Sequence, residues 1–173
     1  MNPTPELIRQ AKGGDAHAFA LLYQSVYKDL YRFALYTLRH PQDAEDTVSE
    51  TVLDAFAQIH TLREDTSFRP WIFRILSIKC RRRIREYIHA PSALDETRPE
   101  ESSSVCTPHN SLPEQTDVRR AFFSLPEEDR LIIAMSLFAG YSSQEIGTQL
   151  GMNPNTVRSR QSRALRKLEG LLS

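Results

Sequence analysis

The sequence predicts an all-α fold. It consists of two small helical domains joined by a flexible linker: a four-helix N-terminal domain over residues 1–90, a linker over 91–113, and a helix-turn-helix domain over 114–173. Three observations predict it. Apolar residues recur at helical spacing along most of the chain, and no segment alternates in the manner of a half-buried strand beside a hairpin turn. The periodicity lapses between Ala90 and Pro113, where Pro, Ser, Thr and acids take over, including the run Glu100-Glu101-Ser102-Ser103-Ser104. Finally, the periodic stretches are bracketed by capping residues or prolines at their starts and by glycines or prolines at their ends.

Taken in order, Thr4 with Pro5 behind it starts a first short helix that Gly13-Gly14 ends. Asp15 caps a longer helix carrying Phe19, Leu22, Tyr23, Val26, Leu30, Phe33 and Leu38, which Pro41 stops. Asp43 caps a third, with Val48, Val52, Ala55, Phe56 and Ile59 as its apolar stripe and acids on the other faces. A fourth holds Phe68, Trp71, Ile72, Ile75, Ile84 and Ile88. Beyond the linker a helix runs around Asp117 to Ser124. Pro126-Glu127-Glu128-Asp129 starts the next, with three acids near the positive end of its dipole, and Gly140 closes it.

Charge is zero in sum but patterned along the chain. Lys and Arg number 22, Asp and Glu 22. Yet Arg69, Arg74, Lys79, Arg81, Arg82, Arg83 and Arg85 follow one another with no acid between them, whereas the charged side chains from Asp43 to Asp65 are all acidic except Arg63. Cys80 and Cys106 lie far apart with no CxxC spacing, which supports neither a disulfide framework nor a zinc site. No apolar run approaches the roughly 20 residues of a membrane span. A cytoplasmic protein is expected.

The sharpest motif runs from Ser142 to Arg160. Ile146 and Leu150 stand one turn apart, Gly147 permits close helix approach, Gly151 supplies a tight turn, and Asn153-Pro154 starts a second helix whose Val157, Ala164, Leu165 and Leu168 face inward. Asn155, Thr156, Arg158, Ser159, Ser162 and Arg163 are left outward, where a recognition helix reads base edges in a major groove. In the fourth helix, Trp71 beside Arg74, Lys79, Arg81, Arg82 and Arg85 combines an aromatic ring with uninterrupted cations, as in single-strand binders, although aromatic residues at helical spacing equally suit a core. In the third helix, Asp43, Glu45, Asp46, Glu50 and Asp54 make an acidic face without the His or Cys of a metal centre, and a docking face for a protein partner fits them better.

These stretches, in this order, resemble the extracytoplasmic function group of sigma factors, the minimal members of the major bacterial sigma family. The resemblance rests on Asp43 to Ile59, Phe68 to Arg85, Leu125-Pro126-Glu127-Glu128-Asp129-Arg130, Gly140 to Ile146, Thr156 to Arg160 and Arg163-Ala164-Leu165. It implies an alternative sigma factor with no catalytic residue, metal or cofactor. Its partners would be the clamp helices and flap of the RNA polymerase core, promoter DNA and an anti-sigma factor. The five acids would dock on polymerase, the Trp71 to Arg85 set would engage the minus-ten element, and the Asn155 to Arg163 set the minus-thirty-five element. The loop from His60 to Ser67 would hold a flipped base. Ile78 and Arg82 depart from the Asn and Asp that many relatives carry there. Two other readings are a stand-alone operator-binding regulator and a small metal-dependent nuclease. The paired acidic and basic helices argue against the first, and the absence of a phosphate loop or nucleophile motif against the second.

Overall fold

The computed structural model describes residues 4–63, 68–89 and 113–172, and among these it contains eight α-helices, one short 3-10 turn and no strand. The first half holds α1 (Pro5–Lys12), α2 (Ala16–Leu38), α3 (Pro41–Gln58) and α4 (Phe68–His89). Capping chemistry sets their starts: Thr4 Oγ1 accepts from the Leu7 N–H at 3.3 Å, and Asp15 Oδ1 accepts from the N–H groups of His17 and Ala18 at 2.8 and 3.1 Å. One boundary differs from expectation. The second helix already ends at Leu38, on Arg39 with a left-handed φ of 67°, and Pro41 is the first residue of α3, capped by His40 rather than by Asp43. A proline suits that position because its missing N–H would have had no helical partner. Asp43 lies inside the first turn instead.

The second half comprises α5 (Pro113–Phe123), α6 (Glu127–Leu137), α7 (Ser143–Leu150) and α8 (Pro154–Leu172). The first of these begins at Pro113, the last residue assigned to the linker, again with proline leading a helix. The rest of the linker lies outside the described residues.

Both halves share one core. Leu22, Leu30, Phe33, Ile72, Phe73 and Leu76 from the first half join Leu131, Ile132, Met135 and Ile146 from the second in one buried cluster. The connection is made by α6, which packs against α2 and α4. Fully burying one large apolar side chain contributes about 1.5–3 kcal/mol, so several such residues meeting across the seam are a substantial force for closure. A satellite cluster of Phe122, Leu125, Ile133 and Ala164 receives Tyr36 from α2, whose ring centroid lies 5.0 Å from that of Phe122.

Three residues placed on inner stripes lie outside. Phe56 is 43% exposed, Ile88 63% and Leu165 51%. Neighbouring residues on a helix project about 100° apart. Because Ala164 takes the inner position of α8, Leu165 is turned outward, and Ala55 does the same to Phe56. Cys80 is buried and free, with burial pushing its thiol pKa up; Cys106 lies outside the described residues.

Candidate nucleic-acid interface

The α7–α8 motif is built from its turn outward. Ser142 and Glu145 form a reciprocal capping box: the Ser142 hydroxyl accepts from the Glu145 N–H at 3.3 Å, and the Glu145 carboxylate accepts from the Ser142 N–H at 2.8 Å. The Ser142 hydroxyl and N–H together hold the Glu145 carboxyl below its ordinary pKa. At the other end Gly151 adopts φ 69°, and the Met152 N–H donates to Gly147 O at 2.9 Å. A Cβ on Gly147 would stand 2.7 Å from Met152 O and 3.4 Å from Pro154 N, so the close approach expected of this glycine is present. Asn153 Oδ1 then accepts from the Asn155 N–H at 2.9 Å to start α8. Ile146, Leu150, Val157 and Ala164 are buried on the inner side of the motif.

Asn155, Thr156, Arg158, Ser159, Ser162 and Arg163 are all exposed along the outer side of α8. Arg158 is steadied by Asn155 Oδ1 at 3.2 Å, and Arg163 leans on Ser159 O at 3.4 Å. Arg160 faces α6 instead, paired with Glu128 and, at 3.3 Å, with Asp129. The helix therefore divides its arginines between solvent and structure.

The α4 set is less uniform. Trp71 is half-buried, its ring 6.2 Å from that of Phe68, and it packs on the core, while Phe68 and Phe73 are fully buried. Lys79 pairs with Asp54 at 2.7 Å and Glu50 at 3.5 Å, Arg82 with Glu50 at 3.2 Å and Glu86 at 3.5 Å, and Arg83 with Glu50 at 3.2 Å. Arg81 turns toward the second half of the chain. Only Arg74 and Arg85 of the set are exposed without a salt bridge among the described residues.

The five acids of α3 are correspondingly dispersed. Glu50 and Asp54 serve the α4 cations, and Asp43 accepts from the Tyr87 phenol, which burial and this bond together push to a higher pKa. Glu45 and Asp46 remain exposed, Asp46 accepting from Gln42 Nε2 at 3.2 Å. The acidic and basic helices thus face each other along one edge. Periodicity reports which side of a helix is polar, but not which neighbouring helix that side meets. Leu53 was missed as a candidate: it projects from α3, 71% exposed, with the partly exposed Phe56 following on the same helix. Its signal in the sequence is its position off the Val48–Ala55–Ile59 stripe.

In the loop that would hold a flipped base, Ile59–Thr61 form the 3-10 turn, while residues 64–67 lie outside the described residues. Among the described residues no group of three or more His, Cys, Asp or Glu side chains could hold a metal ion, and no helix is long and apolar enough to cross a membrane.

Comparison with known proteins gives this geometry a family. Residues 22–87 match the model for sigma-70 region 2, and residues 115–168 the model for sigma-70 region 4. The chain is 30% identical over 168 residues to the ECF RNA polymerase sigma factor SigM of Mycobacterium tuberculosis, covering 96% of this chain and 83% of that one. It is also 30% identical to the RNA polymerase sigma factor NccH of Alcaligenes xylosoxydans xylosoxydans, over 96% of this chain and 92% of the other. Among solved structures, CnrH in complex with the cytosolic domain of CnrY is similar at a TM-score of 0.65 and 25% identity, covering 97% of this chain and 96% of that one. The sigma factor RpoE of Bartonella quintana, in complex with the anti-sigma factor NepR, is similar at a TM-score of 0.66 and 26% identity, covering 89% and 96%. Two sigma-70 regions in order, with relatives that match over almost the whole length, make this chain an alternative RNA polymerase sigma factor of the extracytoplasmic function group.

Proposed function

We propose that the two halves divide promoter recognition between them. The outer side of α8 reads the minus-thirty-five element as duplex, while α4 engages the minus-ten element. On the polymerase core, α3 docks on the clamp helices and the second half contacts the flap. The chain supplies specificity and position; the chemistry belongs to polymerase, in the cytoplasm. The observation that carries this reading is the α8 face, where six exposed polar side chains are presented by a motif whose inner side is buried. Arg158 and Arg163 suit guanine edges and phosphates, and Asn155, Thr156, Ser159 and Ser162 suit mixed contacts. On α4, Arg74 and Arg85 are the cations available to a strand in this arrangement, and Trp71 offers at most one partly exposed ring. Control by an anti-sigma factor is supported by the similar structure of the sigma factor RpoE in complex with the anti-sigma factor NepR.

The test is transcription by sigma-free core polymerase on fragmented genomic DNA, with and without this protein. Start sites that share two spaced upstream motifs are expected. Arg158→Ala and Arg163→Ala should each relax the upstream motif by about 1–3 kcal/mol of base discrimination. Unchanged promoter selection by both variants would refute the assigned face.

A further inference from the structure

The cationic face of α4 carries an isoleucine. Ile78 is 59% exposed, and among the described residues it joins neither buried cluster nor the side chains packed on them, so the core makes no use of its bulk. Arg74 stands four residues before it and Arg85 seven after, a spacing that puts all three on one face of the helix, about 6 and 10 Å apart along the axis. Both arginines are exposed without a salt bridge among the described residues. A strand whose phosphates are held at Arg74 and Arg85 lays the bases between them across Ile78.

The polar groups beside Ile78 are already engaged. The buried Ser77 hydroxyl donates to Arg74 O at 2.9 Å. Lys79 is drawn to Asp54 and Glu50 on α3, and Arg82 lies between Glu50 and Glu86. Reading a base edge through any of them means giving up an internal bond first. Ile78 has no donor or acceptor of its own, and what it offers is apolar area. Of the four DNA bases only thymine carries an apolar group at its edge, the 5-methyl. An aliphatic side chain also lacks the ring face by which aromatic residues stack on every base alike, so its contact favours one base over the others.

We propose that Ile78 is a specificity-determining residue of this chain, selecting a thymine in the melted minus-ten strand by apolar contact with its 5-methyl group. The flanking arginines hold the backbone and are indifferent to sequence, and Ile78 supplies the selection between them. The proposal rests on the reading of α4 as the helix that engages the minus-ten element.

The experiment uses the full chain bound to core polymerase and the non-template strand of a promoter that it selects. Thymine is replaced by deoxyuridine at one minus-ten position at a time, which removes the methyl and nothing else. Affinity for the single strand is read by fluorescence anisotropy. At one position the replacement should weaken binding roughly fourfold, the factor that corresponds to about 0.8 kcal/mol for one buried methyl. Ile78→Ala should bind the thymine and deoxyuridine strands alike at that position while keeping the parent's urea midpoint, because the side chain is exposed. Ile78→Val should retain part of the discrimination. A minus-ten element without thymine, a parent chain indifferent to the methyl at every position, or a methyl effect that Ile78→Ala preserves would overturn the proposal. Arg74→Ala combined with Arg85→Ala separates that failure from failure of the α4 reading. Weaker binding of every strand by this double variant supports α4 as the minus-ten helix, whereas unchanged affinity would overturn that reading and the proposal with it.

Discussion

Replacing Gly147 with alanine sets two physical effects against each other, and the structure decides their sign. Gly147 lies inside α7, where alanine is favoured over glycine by about 1 kcal/mol. The added Cβ, however, would meet Met152 O at 2.7 Å and Pro154 N at 3.4 Å. Both are backbone atoms of the turn, so relief requires moving α8 rather than rotating a side chain. Forcing a methyl into such packing costs about 1–3 kcal/mol, leaving a net loss of up to about 2 kcal/mol. Gly170→Ala is the matched control: it lies near the end of α8 with nothing within 4 Å of its added Cβ, and should stabilise by somewhat less than about 1 kcal/mol. In a chain of this size each kcal/mol shifts Tm by about 2–4 °C, so urea and thermal unfolding of the two variants resolve opposite signs. If the outer face of α8 reads the promoter, duplex promoter binding should fall with Gly147→Ala and hold with Gly170→Ala, because only the first displaces that face. Equal or greater stability of Gly147→Ala would refute the argument from close approach.

Three further outcomes are expected. Glu50→Gln removes the common partner of Lys79, Arg82 and Arg83; because the carboxylate is partly exposed, the loss should be about 1 kcal/mol at low salt and smaller at high salt, read from urea midpoints in both. The Glu145 carboxyl has a folded pKa below its unfolded one, so its capping contribution is present above the ordinary value of about 4.3 and lost as pH falls through the lower folded value. The difference in urea midpoint between Glu145→Gln and the parent chain should accordingly be largest near neutrality and shrink at acid pH; a difference that grows with acidity would contradict the capping geometry. Leu53→Ser should leave stability within about 0.5 kcal/mol, since the side chain is largely exposed, while weakening pull-down of core polymerase if α3 is the docking helix.

Most of the helices and the whole α7–α8 motif were legible in the chain because their determinants are local. Thr4 with Pro5, Asp15, the Ser142–Glu145 box, Gly151 and Asn153 with Pro154 each act within a few residues, and spacing exposes them. Local chemistry also misled where two rules competed. Pro41 reads equally as a stop for one helix and as the first residue of the next, and Arg39 in the left-handed region ended α2 without a glycine to announce it. Leu165 and Phe56 fit apolar arcs wider than the face their helices bury.

The outer side of α8 needed no tertiary information, since an amphipathic helix whose inner residues are Val157 and Ala164 leaves Arg158, Ser159, Ser162 and Arg163 outward. The fate of α4 and α3 did need it. Seven cations and a facing set of acids read as two separate binding surfaces, yet Glu50 and Asp54 lie against Lys79, Arg82 and Arg83, and Arg81 is taken by the end of α7. Charge pairing across tens of residues depends on which helices the core brings together. That choice is made by the non-directional burial of Leu30, Phe33, Ile72, Leu131 and Met135, a property of the assembled cluster that no spacing along the chain records.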